Sequence, residues 1–346
     1  MVKNTFDCET INPKPYSIFI SNRILRRFFL ELYMFQLVFK IKKIVKNKAY
    51  NYVIFIRSID PLLALIVYIV CKTKNVKLAI ERNEYPSVLT KHKGLLIRVL
   101  YKYLVYSWHY RLFDVIFLMT DNLIKYYGKA VREDCIIQKL PITIDFKRFE
   151  NINGIIEGPY IFYAGNLSEK KDGVVSLVHS FNNISKTLPQ MKLKIAGSFN
   201  SKKSKDYLLN LVNQYELEDK VIFLGKVDRN DIPKYISCAD ILVLPRPLSI
   251  QSQGGFPTKL GEYLASGKPV IATKVGEISN YLSENEIFFI SPDNIITELE
   301  KKVIEIVNNY EFALNVGESG KKTAKKHFSL ENNQEKIRYA FTYLYN

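Results

Sequence analysis

A chain of 346 residues, 47% hydrophobic and 24% charged, is long for one core and too apolar for disorder, so two globular domains are expected. Four dispersed cysteines (Cys8, Cys71, Cys135, Cys238) and four dispersed histidines argue against a disulfide framework or a zinc site and fit a reducing cytoplasm. The net charge of +16 is concentrated: residues 1–150 hold 26 basic against 12 acidic side chains and the rest 24 against 22, which points the first half at lipid headgroups or nucleic acid.

In chain order, residues 1–16 read as a tail with Pro13 and Pro15, without the apolar core of a secretory signal. Residues 18–46 alternate apolar and basic side chains with a helical period. Strands are expected at 52–56, 76–80, 114–119 and 135–139, with helices at 60–72, 91–111 and 121–127 between them. The longest clean apolar run, 61–71, is about half the length a bilayer span needs. A linker at 151–158 opens a second cycle, with strands at 160–164, 192–196, 221–224, 241–244, 270–272 and 287–290 and helices between them. This β-α rhythm predicts an α/β protein: two Rossmann-like, doubly wound domains facing a central cleft. The expected division is 1–155, 156–328 and a C-terminal helix at 329–346 that packs back on the first domain.

Only Gly94 and Gly128 precede residue 150, so a glycine-rich phosphate loop cannot follow an early strand and the nucleotide belongs to the second half. There the loop 165–173 follows the first strand, and its Lys170 and Lys171 can counter a diphosphate; a solvated lysine pair is the plain alternative. The stretch 255–273 reads as loop, helix, stop and strand. Pro257 suits a first turn, Leu260, Tyr263 and Leu264 form an apolar face, and Gly267 with Pro269 ends the helix. A glycine-lined loop feeding a helix start is an anion site, and Thr258 and Glu262 share the polar face beneath it. That pairing suits a phosphate with hydroxyls attached, as in a nucleotide sugar.

Gly165…Lys171-Asp-Gly173, Phe223-Leu-Gly225-Lys-Val227, Leu244-Pro245 and Gly255-Phe-Pro-Thr-Lys-Leu-Gly-Glu262 occur in that order. Together they resemble the nucleotide-sugar-binding half of the retaining glycosyltransferases of group 1 (family 4), of the bacterial surface-polysaccharide type, which have the GT-B fold. The likeness covers 160–273 well, and Leu140-Pro141-Ile-Thr-Ile-Asp145 is similar to that family's end of the N-terminal domain. The resemblance implies catalytic roles for Lys171, on the donor diphosphate, and Glu262, on the ribose hydroxyls. It places Val227 at the base and the backbone amides from Phe256 through Pro257 and Thr258 to Lys259 on the distal phosphate, with Gly165, Asn166 and Gly255 completing the donor loops. Two positions depart from the family pattern: the first glutamate of its Glu-x7-Glu motif falls on Gly254, and the arginine after its first glycine is Asn166. Arg246, Gln251 or Gln253 is then expected to take part in sugar recognition. The N-terminal domain also lacks the family's glycine loop.

The reaction implied is sugar transfer with retention of configuration. No Asp-x-Asp triplet occurs, so no metal and no cofactor beyond the nucleotide-sugar substrate is expected, and basic groups must stabilise the leaving phosphate. Acceptor chemistry is expected at the strand ends of the first domain. Arg57 or Arg82 would meet a lipid-linked phosphate and Glu84 would accept a sugar hydroxyl; interdomain ion pairing is the alternative for each. The segment 91–111 carries Arg98 and Lys102 among Tyr101, Tyr103, Tyr106, Trp108 and Tyr110, suited to lying on anionic headgroups. The expected protein is therefore cytoplasmic and peripheral on the inner face of the plasma membrane. A nucleic-acid binder would explain the charge but not the glycine motifs of the neutral half. A non-catalytic sugar-nucleotide-binding protein and a nucleotide-sugar epimerase are the other readings.

Overall fold

The computed structural model describes residues 39, 53–56, 61–90, 94–150, 152 and 158–345. Apart from residue 39, the helical segment expected at 18–46 lies outside the described residues, as do Arg57, Ser58, Lys91, Lys93 and most of the expected linker.

Two parallel sheets carry the fold. The first places β1 (Val53–Ile56), β2 (Lys77–Arg82), β3 (Val115–Leu118) and β4 (Ile136–Lys139) side by side in that order. The second is built from β5 (Tyr160–Ala164), β6 (Lys192–Ala196), β7 (Val221–Gly225), β8 (Ile241–Leu244), β9 (Val270–Thr273) and β10 (Phe288–Ile290), ordered β10-β9-β8-β5-β6-β7. These are the apolar runs read from the sequence, with ends moved by a residue or two. Strands β3, β5, β8 and β9 are buried on both faces, as uninterrupted apolar runs demand of a parallel sheet covered by helices. In the second sheet the winding reverses at β5, which has β6 on one side and β8 on the other. Such a reversal opens a crevice beyond the carboxyl ends of the two strands.

The two halves share a core. The largest buried cluster contains Leu78 and Ile116 from the first sheet together with Phe162, Leu260 and Tyr263 from the second half. The C-terminal helix Leu330–Tyr343, capped by Ser329, lies on the first sheet. Its Ala340 is buried with Ala79, Val115, Phe117 and Leu140. Asn333 Nδ2 donates to the Ile142 carbonyl at 3.0 Å and to Thr143 Oγ1 at 2.8 Å. A buried amide costs stability unless bonded, so these bonds fix where the chain returns.

One expectation is corrected. The segment 91–111 is not one regular helix: the α-helix Leu95–Tyr101 runs into a π turn at Lys102–Tyr106, then a turn at Ser107–His109 and a 3-10 turn at Tyr110–Leu112. The extra residue of a π turn shifts the face that follows. Tyr110 is buried and Tyr101, Tyr106 and Trp108 are half-buried, so most of the aromatics expected at the surface line the inside. Leucines face outward instead, with Leu95 78%, Leu96 70% and Leu104 62% exposed.

Candidate active site

The crevice between β5 and β8 holds a cavity of about 130 Å³. Lys171 reaches it from the loop after β5, Arg246 from the end of β8, and Thr258 and Lys259 from the start of the helix Thr258–Ser266. Each placement has a local cause. Gly173 adopts φ +69°, and a Cβ there would lie 1.9 Å from the Pro245 carbonyl oxygen, so only glycine lets the lysine loop close on the end of β8. That contact brings Arg246 Nε to the Lys171 carbonyl at 3.3 Å and to Asp172 Oδ1 at 3.6 Å. The helix is pinned to β5 by the Ala164 amide, which donates to Tyr263 Oη at 2.7 Å. First-turn amides have no carbonyl one turn back, so Thr258 and Lys259 bring donors to the cavity they line.

Electrostatically the cavity floor is a cation cluster around one buried carboxylate. Burial raises the Asp172 pKa above its ordinary value, against the pull of Arg246, Lys259 and Lys171. Its Oδ2 is buried without a hydrogen-bond partner. Burial likewise lowers the Lys259 pKa; Asp172 opposes this, and Arg246 and Lys171 add to it. Three cations crowded about one carboxylate leave surplus positive charge where an anion can be received.

The opposite wall comes from the first half. Asn83, Glu84 and Met119 line the same cavity. Glu84 Oε1 accepts from Lys171 Nζ at 3.3 Å and Oε2 from Gln251 Nε2 at 3.0 Å. Further bonds join the halves nearby: Thr120 Oγ1 donates to the Gly254 carbonyl at 2.7 Å, and Asn122 Nδ2 to that of Gln253 at 2.8 Å. Lys139 Nζ lies 2.8 Å from Asp121 Oδ1 and 3.0 Å from Glu277 Oε2. Burial works against the Lys139 ammonium, but its bonds to Asp121 and Glu277 prevail and raise its pKa.

Among the residues singled out from sequence, Asn166, Lys171, Arg246, Gln251, Gly255 and Phe256 meet at this cavity, as do Pro257, Thr258 and Lys259. Others do not line it. Gly165 donates its amide to the Ala196 carbonyl in the strand ladder, and Gln253 is exposed. Val227 packs, partly buried, against the main core. Glu262 lies one helical turn past Thr258 and pairs with Arg148 at 2.7 Å. Pro257 caps the helix start and does not occupy its first turn, and the Phe256 amide donates to Met119 Sδ, so it is not a free phosphate ligand. Arg57 lies outside the described residues.

Arg82 and Glu84, singled out from sequence for the acceptor, line a second cavity of about 600 Å³ that shares Asn83 and Glu84 with the first; its tyrosine wall is what sequence reasoning missed. Its wall includes Arg82, Tyr85, Tyr101, His109, Tyr110 and Tyr127. Arg82 lies over the Tyr110 ring, 5.6 Å from its centroid, a cation–π contact. Burial raises the phenol pKa of Tyr101 and of Tyr127, so both remain hydroxyl donors. The tyrosine spacing was visible in the sequence; the π turn that aims it inward was not. The short capped helix Ile250–Gly254, which carries Gln251 to Glu84, was also missed.

Comparison with known proteins gives the family and the fold. N-acetyl-alpha-D-glucosaminyl L-malate synthase of Bacillus anthracis is 25% identical over 228 residues, 63% of this chain and 56% of the synthase. The chain thus spans little more than half the length of that relative. Sucrose-phosphate synthase from Thermosynechococcus elongatus superposes with a TM-score of 0.67 at 17% identity, over 92% of this chain and 80% of that one. Anabaena HepE, in complex with UDP and glucose, superposes with a TM-score of 0.67 at 16% identity, over 90% and 81%. Residues 145–323, over half of the chain, match the family described as glycosyl transferases group 1. With that match and two parallel α/β sheets meeting at a crevice, the chain belongs to the group 1 glycosyl transferases and has the GT-B fold.

Proposed function

We propose that this protein is a retaining glycosyltransferase that moves a sugar from a nucleotide-sugar donor to a lipid-linked glycan, on the route to a bacterial surface polysaccharide. The observation that carries the reading is the cavity at the β5/β8 crevice, where Lys171, Arg246 and Lys259 converge beside a helix start. Preorganised cations of this kind stabilise the charge that develops on a departing diphosphate, without a metal bridge. In the transfer, the bond between the anomeric carbon and the diphosphate oxygen breaks. The acceptor oxygen bonds the same carbon on the same face, and the acceptor's proton passes to the departing phosphate.

The larger tyrosine-lined cavity supports a place for the acceptor, with Arg82 and the rings of Tyr85, Tyr101 and Tyr110 on its wall. A peripheral membrane position is supported by the outward leucines of Leu95–Tyr101, by the exposed Leu62, Ile66 and Ile69, and by the exposed basic Lys72, Lys74, Lys102 and Arg111 of the same half. No described helix is long and apolar enough to cross a membrane.

The test is a panel of nucleotide sugars in thermal unfolding, led by UDP-glucose and UDP-N-acetylglucosamine because the HepE neighbour holds UDP and glucose. A donor at a hundred times its Kd stabilises by about 2.7 kcal/mol. Protection together with slow donor hydrolysis, unchanged by chelator, supports the enzyme. Protection without turnover on any acceptor makes the protein a non-catalytic sugar-nucleotide binder.

A further inference from the structure

The cavity between the halves is divided chemically. Its second-half wall presents cations, Lys171, Arg246 and Lys259, which suit phosphate oxygens. Its first-half wall presents Asn83 and Glu84. Asn83 Oδ1 is buried with no hydrogen-bond partner, and a buried acceptor without a donor costs stability until a ligand supplies one. Of the two carboxylates lining the cavity among the described residues, Asp172 is buried against Arg246, which leaves Glu84. The Glu84 side chain retains 53% of its exposure.

The backbone has been arranged to put Glu84 there. A Cβ on Gly254 would lie 2.3 Å from the Tyr85 ring, so the chain at Gly254 can meet Tyr85 only as glycine. The Thr120 hydroxyl bonds the Gly254 carbonyl from the same side. The helix Ile250–Gly254 supplies no acidic group of its own; its Gln251 reaches across to hold one oxygen of Glu84 while Lys171 holds the other. The carboxylate thus pairs with the lysine that a diphosphate would take.

We infer that Glu84, with Asn83 beside it, reads the hydroxyl groups of the transferred sugar, so that the specificity-determining carboxylate of the donor site comes from the first half of the chain. The inference rests on the donor-site reading above and deepens it. A diphosphate arriving at Lys171 releases Glu84 Oε1, and the freed oxygen and Asn83 Oδ1 accept from hydroxyls of a glycosyl group attached to that diphosphate. Bare UDP has no such group and gains nothing from them.

Calorimetric titration with UDP, UDP-glucose and UDP-N-acetylglucosamine tests this on the full chain, for the wild type and for Glu84→Gln, with unfolding temperatures checked without ligand. The expected result is that Glu84→Gln binds UDP at least as well as the wild type. The advantage of the better sugar nucleotide over UDP falls by about tenfold or more, as loss of hydrogen bonds to a charged acceptor implies. An unchanged advantage overturns the inference and leaves the donor site standing. A parallel weakening of all three ligands, with their ratio preserved, also overturns it, because that is the signature of a merely structural tether. Failure of every nucleotide to bind the wild type removes the donor-site reading and this inference with it.

Discussion

Arg148 Nη1 donates to Glu262 Oε1 at 2.7 Å, and the same guanidinium donates to the Arg229 carbonyl, so one arginine of the first half holds two segments of the second. Glu262 lies about 6 Å along its helix from Thr258, within reach of the ribose of a diphosphate held at the helix start. The pair is partly exposed, 19% for Arg148 and 31% for Glu262, so it contributes on the order of 1 kcal/mol to stability. Two roles can be separated by variants. Glu262→Ala is expected to raise the donor KM about tenfold, the loss of one hydrogen-bonded carboxylate. Arg148→Ala should lower the unfolding temperature by a few degrees with a smaller change in KM. Equal KM effects in both variants would mean that Glu262 acts only as a latch.

Lys171 and Arg246 are expected to act together on the diphosphate. Removal of one preorganised charge-stabilising group costs about 10²–10³-fold in kcat. Lys171→Ala should show that loss with the fold intact, since its side chain is on the cavity surface. Arg246→Ala should lose activity and stability together, because it strips the counter-charge from the buried Asp172. Arg246→Lys does not rescue, since an ammonium cannot reproduce the guanidinium's several donors. Steady-state kinetics beside thermal unfolding separates these outcomes.

The ten strands and the helix Thr258–Ser266 were legible because each is an apolar run or apolar stripe closed by its own turn residues, such as Gly267 at φ +78°. Of the cation cluster only Lys171 was legible as a diphosphate partner, because it closely follows β5; Lys259, read for its backbone amide, and Arg246, read for the sugar, join it only in the fold. What local pattern could not convey was contact between distant segments. Glu84 and Lys171 are 87 residues apart in the chain and 3.3 Å apart in space. Gly254 departs from the family glutamate in the sequence, and only the fold shows the Tyr85 ring packed against it. The tyrosines of 101–110 were assigned outward because a regular helical period hides the π turn.

Gly173→Ala probes how tightly the lysine loop is set. The new methyl would meet the Pro245 carbonyl and force an unfavourable positive φ. A cost of about 1–3 kcal/mol is expected from the backbone conformation alone. Because the loop would lift from β8, UDP affinity should fall together with unfolding temperature. Retained stability with lost affinity would contradict this coupling.

Lys259 gives the site a pH signature. Its ordinary pKa of 10.5 is lowered by burial first and by Arg246 and Lys171 in addition, against Asp172. Between the lowered value and 10.5 the unfolded chain binds more protons than the folded protein, so stability rises with pH across that window. Ligand affinity runs the other way: a diphosphate favours the ammonium, so binding takes up a proton and weakens as pH rises through the same window. UDP titrations in two buffers of different ionisation enthalpy measure that uptake. Lys259→Arg, which keeps its charge, should abolish the uptake and extend binding to higher pH; an unchanged alkaline limb would exclude Lys259 as its source.

The proposed membrane contact can be tested on the outward leucines of the first half. Leu62 (68% exposed), Leu95, Leu96 and Leu104 offer apolar area to a bilayer, and Lys72, Lys74, Lys102 and Arg111 of the same half are exposed as well. At about 25 cal/mol per Å² of apolar area, insertion of a few leucines outweighs the roughly 1 kcal/mol each basic group gives near anionic lipid. Co-sedimentation with vesicles containing anionic lipid should therefore fall with salt but not vanish. Leu95→Asp combined with Leu96→Asp should abolish it at any ionic strength, while leaving thermal stability unchanged because neither side chain is buried. Arg111→Ala, by contrast, should lower binding only at low salt. If the double aspartate variant binds as the wild type does, the apolar face is not the contact surface and the basic side chains alone account for membrane attachment.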